Sequence, residues 1–117
     1  MKTKTEVYVL LYGHDRNSMA GRQRVLETYG YRVVPVTHVS DLARLPTHPR
    51  MDLLVLAECL TANEAFAVTA QSGVRWPGIK RLSLEQVPPE LRDPTQIMLM
   101  VTKLVGVSAS SVHSHVY

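Results

Sequence analysis

At 117 residues, with 45% hydrophobic and 20% charged side chains, the chain has the size and composition of one globular domain that can bury a core without disulfide or metal staples. Its single cysteine, Cys59, cannot close an intramolecular disulfide. No apolar run approaches the roughly 20 residues of a membrane-spanning helix, and the first fifteen residues lack the apolar core and cleavage site of a secretory signal, so a cytoplasmic location with no membrane span is expected. The net charge of +3 comes from lysines and arginines scattered along the chain, the distribution of a solvated surface; nucleic acid, which needs a clustered basic face, is not an expected partner.

In chain order, Glu6 to Tyr12 is a short apolar run rich in Val and Tyr, a buried strand that ends in the polar loop Gly13-His14-Asp15. Asn17 or Ser18 can cap a helix from about Ser18 to Tyr29, with Met19, Val25, Leu26 and Tyr29 on one face and Gly30 as its stop. Tyr31 to Thr37 is extended and β-branched, and Pro35, which cannot donate to a ladder, suggests an edge strand. Ser40 can cap a short helix over Asp41 to Leu45, ended by Pro46 and Pro49. Asp52 to Leu56 is a continuous apolar strand of the kind buried on both faces of a parallel sheet.

Thr61-Ala62-Asn63-Glu64 has the capping-box pattern, so a helix starts at Thr61; it carries Ala65, Phe66, Val68 and Thr69 and stops before Gly73. Trp76-Pro77-Gly78 turns into a fourth strand, Ile79 to Leu84, and a proline-rich connector then leads to a last helix with Ile97, Val101, Leu104 and Val105 at helical spacing and Gly106 at its close. Met98-Leu99-Met100 in that helix is better read as core packing than as a docking surface. Residues 108–117 are small, polar and aperiodic, the composition of a flexible C-terminal tail after a domain spanning 1–107.

The order β-α-β-α-β-α-β-loop-α implies an α/β fold, a three-layer open sandwich with a parallel sheet and right-handed crossovers. Ligands in such folds sit at the carboxyl ends of the strands, which directs attention to Gly13, His14, Asp15, Ala57, Glu58 and Ser83.

The strand before Gly13, the helix leading to Gly30-Tyr31-Arg32-Val33 and the strand Asp52-Leu53-Leu54-Val55-Leu56 together resemble the receiver domain of response regulators in two-component signalling, over residues 6–106. The resemblance implies a flavodoxin-like, CheY-like sheet. In that family an aspartate after the third strand accepts a phosphoryl group, an acidic pair after the first strand holds Mg²⁺, and a Ser or Thr after strand four and a Lys after strand five complete the site. Clustered carboxylates hold the hard cation, which with the lysine neutralises the transferring group.

Carried onto this chain, the acidic pair falls on Gly13 and His14, with Asp15 just beyond, and the phosphoacceptor position falls on Ala57, an inert methyl. The family's Pro and Gly further along that loop align with Thr61 and Ala65. Ser83 alone fits its place, no Lys-Pro pair follows it, and the connector is too short for the family's fourth helix and fifth strand, so the fold is expected to be shortened there. The resemblance with these departures implies a degenerate, bacterial-type pseudo-receiver in a phosphorelay-like pathway: not an enzyme, without cofactor or metal, working through protein partners, with a homodimer left open.

Other readings attach to single residues. Glu58 could be a slipped acceptor, but a shift of one residue points a strand side chain to the opposite face unless a bulge re-aims it; a milder reading makes it a constitutive negative charge. His14, Asp15 and Glu58 could bind a metal, although they show no ligand spacing, and the GHDRNSMAG stretch lacks the pattern of a phosphate-binding loop. His38 and His48 read as surface residues, and His113 and His115 as incidental in the tail. Cys59 reads as a small buried residue without a thiolate-stabilising neighbour. The competing function is a small-ligand binder or enzyme that reuses the strand-end crevice through Asp15, Glu58 and Ser83.

Overall fold

A computed structural model describes residues 6–114, and the surroundings of side chains over 6–105. The elements are β1 (Tyr8–Tyr12), α1 (Arg16–Thr28), β2 (Arg32–Val36), a 3-10 turn at Val39–Arg44, β3 (Leu53–Leu56), α2 (Ala62–Arg75) and β4 (Lys80–Ser83). Two further 3-10 turns, Leu84–Gln86 and Pro89–Leu91, lead to α3 (Pro94–Ser114). All strands are parallel in one sheet of order β2-β1-β3-β4. This is the α/β architecture that the alternation of elements implies, compatible with a flavodoxin-like open sandwich. The expected shortening is present, because the 3-10 turns occupy the connector and no fifth strand joins the sheet among the described residues.

Period-two alternation sends each strand's side chains into two cores. Val9, Leu11, Val33, Leu53 and Val55 pack under α1 and α3 with Met19, Leu26, Ile97, Met98 and Val101. Leu10, Tyr12, Val36, Leu54 and Leu56 pack on the opposite side with Leu42, Val68 and Trp76. Every residue of β3 is buried, as a central parallel strand requires, and Pro35 lies in an edge strand, where its missing N–H costs no second ladder.

Several local expectations need correction. Helix α1 begins at Arg16 because Asp15 is the cap, its carboxylate accepting from the amides of Asn17 at 3.1 Å and Ser18 at 3.3 Å. An ionised carboxylate outcompetes the amide or hydroxyl two or three residues on. Tyr29 is exposed at the C-terminal end of α1, and Gly30, at φ 94°, allows the turn that lets the Tyr31 amide reach the Leu26 carbonyl at 3.1 Å. Ser40 caps nothing: the 3-10 turn starts after His38 with no side-chain cap.

Helix α2 runs through Gly73 to Arg75, and Phe66 is exposed on its outer face. Helix α3 passes Gly106 and continues to Ser114, so residues 108–114, expected as an aperiodic tail, are helical. His115 and the rest of that tail lie outside the described residues. A single Gly in an otherwise competent helix costs about 1 kcal/mol, too little to stop either one. No helix is long and apolar enough to cross a membrane among the described residues.

Candidate functional site

The ends of β1 and β3 meet closely. The Gly13 amide donates to the Val36 carbonyl at 3.2 Å, and the Ala57 amide donates to the Tyr12 carbonyl at 2.9 Å. A Cβ placed on Gly13 would stand 2.6 Å from the Ala57 Cβ, inside any tolerable carbon–carbon contact. Both residues are buried, and the Ala57 methyl restricts Gly13 to glycine. Where the resemblance aligns one member of an acidic pair and an acceptor carboxylate, two backbones and one methyl fill the space.

Glu58 follows Ala57 at the surface of this contact. Strand alternation would send it to the α2 side, since Leu54 and Leu56 point there. Instead the chain bends at Glu58-Cys59, with Cys59 at φ 66°, and the Glu58 carboxylate turns toward α1. There it accepts from Arg22 Nη2 at 2.8 Å, and Arg92 Nη1 lies 3.9 Å away. The Arg22 hydrogen bond holds the Glu58 carboxyl below its usual range against the opposing effect of burial. Glu58 is therefore ionised, but two guanidinium groups neutralise it; it is not a free negative charge.

Arg22 is only 6% exposed and occupies the apolar stripe of α1 between Met19 and Leu26. Its Nη1 is buried without a hydrogen-bond partner. Arg92 anchors the connector beneath Glu58: its Nε donates to the Val87 carbonyl at 2.7 Å and its Nη2 to the Glu85 carbonyl at 3.3 Å. The Cys59 amide donates to Glu85 Oε1 at 3.1 Å, a second tie between the β3 loop and the connector. Cys59 itself is exposed, not buried as its residue type suggested, because the bend carries it past the strand end.

His14 turns away from Glu58. Its Nε2 lies 2.7 Å from a Glu64 oxygen, and the same carboxylate accepts from the buried Tyr12 hydroxyl at 2.5 Å. The Tyr12 and His14 rings meet edge to face with centroids 5.8 Å apart. The Tyr12 hydroxyl, and next His14, lower the Glu64 pKa, while burial and then Glu64 push the Tyr12 phenol well above its usual range. Thr61 caps α2 by accepting from the Glu64 amide at 3.1 Å, but the reciprocal half of the capping box is missing because the Glu64 carboxylate is engaged across the helix by Tyr12 and His14.

The strand-end residues thus divide between two clefts. His14, Asp15, Glu58, Arg22 and Arg92 line one of about 330 Å³ on the α1 side. Ser83 lines another of about 460 Å³ on the α2 side, with Leu56, Leu60, Ala65, Phe66 and Arg81. Ala57 borders both. Asp15, Glu58 and Ser83 do not share a cleft, and among the described residues no group of three or more His, Cys, Asp or Glu side chains could hold a metal ion.

Arg22, Arg92 and Glu64 were missed in the sequence as parts of this region. A signal existed for Arg22, an arginine at apolar spacing between Met19 and Leu26; none existed for Arg92, whose place depends on the 3-10 turns. No family model matches the chain, and no characterised protein is similar to it at a significant level.

Proposed function

We propose that this chain is a degenerate receiver module of two-component-type signalling that acts in the cytoplasm by phosphorylation-independent contact with protein partners and performs no catalysis. The observation that carries the reading is the contact between Gly13 and Ala57, in which the positions aligned with an acidic residue and with the acceptor carry no side chain beyond a methyl, and that methyl leaves Gly13 no room for a Cβ. The nearby carboxylates are committed elsewhere. Asp15 caps α1, Glu58 pairs with Arg22, and Glu64 binds Tyr12 and His14. A phosphoryl acceptor needs a carboxylate oxygen that is accessible and unblocked, with a cation beside it. None of these groups meets both conditions.

The competing reading as a ligand-binding or catalytic crevice needs its three polar residues together, but Ser83 lines a different cleft from the one that Asp15 and Glu58 share. Incubation with acetyl phosphate and Mg²⁺, followed by intact-mass spectrometry, tests the proposal. The mass is expected to stay unchanged; an acid-labile phosphorylated species would overturn it.

A further inference from the structure

Among the described residues the sheet ends at β4, with no strand covering that edge. The Lys80 amide donates to the Asp52 carbonyl at 3.2 Å, so Lys80 turns its backbone groups toward β3. In a parallel strand these groups alternate, which directs those of Leu82 inward and those of Arg81 and Ser83 outward. The Ser83 carbonyl, as the cap of the Leu84–Gln86 turn, accepts the first hydrogen bond of that turn, so the outward groups that remain are the Arg81 N–H and C=O and the Ser83 N–H, and no described strand pairs with them.

Exposed edges are commonly protected by charged side chains. The basic residues of β4 do not lie across this edge. Lys80 folds over the α3 face, its Nζ donating to the Leu104 carbonyl at 2.9 Å, and Arg81 lies over the α2 face, with Nη1 at 3.5 Å from Thr69 Oγ1. Among the described residues this short stretch of ladder is open, between two positive charges.

Beside the edge, on the α2 face, the cleft lined by Leu56, Leu60, Ala65 and Phe66 offers an apolar seat with Arg81, Ser83 and Glu85 at its margin; the Glu85 carboxylate is held by the Cys59 amide at 3.1 Å. Phe66 is 75% exposed, and Val74, two turns further along the same helix, is 80% exposed.

We infer that the β4 edge is a docking site for an extended acidic segment of a partner protein, which adds as a fifth parallel or antiparallel strand. Its backbone pairs with the N–H and C=O of Arg81 and the N–H of Ser83, an apolar side chain enters the Phe66 cleft, and its carboxylates face Arg81 and Lys80. Strand addition draws affinity from main-chain bonds and specificity from alternate side chains, and this edge supplies both parts. Charge selects the occupant. A second copy paired through β4 would set Lys80 and Arg81 against their own equivalents, and like charges across strands are destabilising. The inference rests on the reading of the chain as a protein-contact module, and names the surface and the partner chemistry.

Selection of displayed random peptides against the whole chain tests it, with binding re-measured on two variants. Arg81→Glu reverses the charge and leaves the backbone intact; Ser83→Pro removes an outward N–H and leaves the charge intact. The single tryptophan, Trp76, is buried and reports by fluorescence that each variant is folded. Enriched peptides are expected to be acidic and alternating, and to bind Arg81→Glu about tenfold more weakly. Ser83→Pro is expected to weaken them as well.

Failure to enrich such peptides, or binding that both variants leave unchanged, would overturn the inference. Peptides that bind but map to α1 would overturn the β4 site while leaving the contact-module reading in place. A homodimer in size-exclusion chromatography that Ser83→Pro converts to a monomer would also overturn it, and if Ser83→Pro does not fold, Arg81→Glu decides alone.

Discussion

At the scale of single residues, the strand-end region is governed by two dependencies. Gly13 is limited by the Ala57 methyl, since a methyl added at Gly13 would bring carbons to 2.6 Å. Gly13→Ala is expected to cost about 1–3 kcal/mol, the usual range for overpacking a close-packed site, and Ala57→Gly in the same chain should return part of that loss. Denaturant unfolding followed by Trp76 fluorescence measures the cycle; additive effects would mean that the two residues do not meet. The backbone of Gly13 is not in the left-handed region, so the penalty is steric.

The second dependency is the pair Arg22 and Glu58. Burying a guanidinium is tolerable only while a carboxylate compensates it. Glu58→Gln should therefore destabilise the fold by roughly 2 kcal/mol at neutral pH, chiefly through the uncompensated Arg22. Because the folded-state pKa of Glu58 is lowered, first by its bond to Arg22, its contribution is complete above the ordinary glutamate value of 4.5 and disappears as pH falls through the lower folded value. Wild-type stability should fall on acidification below about pH 5, and the Gln variant should lose that part of the slope. An unchanged slope would show that Glu58 carries no linked protonation. Glu64, lowered by Tyr12, adds to the wild-type slope in the same direction.

At the scale of elements, the helices separate local signals from tertiary ones. Thr61 and Asp15 are both caps, but only Thr61 stands out in the sequence, because Asp15 is followed by two other competent capping residues. Asp15→Ala is expected to cost about 1 kcal/mol, while Ser40→Ala, at a position that caps nothing, should be near neutral. Thermal unfolding monitored by circular dichroism measures both; equal effects would contradict the assignment of the caps.

The strands were legible because β3 is apolar throughout and Pro35 marks an edge. The side on which Glu58 falls was not legible, because alternation holds only while the strand continues, and a bend at Cys59 ends it. Nor could the inner and outer faces of α2 be separated at Phe66, which has a core residue's chemistry and an exposed position. The extent of α3 was missed for a related reason: small polar residues lower helix propensity without forbidding a helix already nucleated by Ile97, Met98 and Val101.

At the scale of the whole molecule, the alternation of elements was sufficient to imply a parallel sheet in three layers, and the sheet order β2-β1-β3-β4 agrees with it. The connector's shortness was also visible in the sequence. Its consequence was not: Arg92 and Glu85 tie the 3-10 turns to the β3 loop, so the connector closes over the strand ends and no described strand lies beyond β4. The strand ends of the molecule are thus occupied by packing at Gly13 and Ala57 and by the Arg22–Glu58 pair, and among the described residues the sheet's uncovered edge is β4.

The most direct test of a scaffold without a phosphoryl switch is an amide-detected two-dimensional NMR titration with Mg²⁺ followed by beryllofluoride, a phosphoryl mimic. The amides of Gly13, Ala57 and Ser83 are expected to keep their positions throughout, apart from the small uniform changes that ionic strength produces. Saturable shifts that converge on Gly13, Ala57 and Ser83 would contradict the absence of an acceptor site.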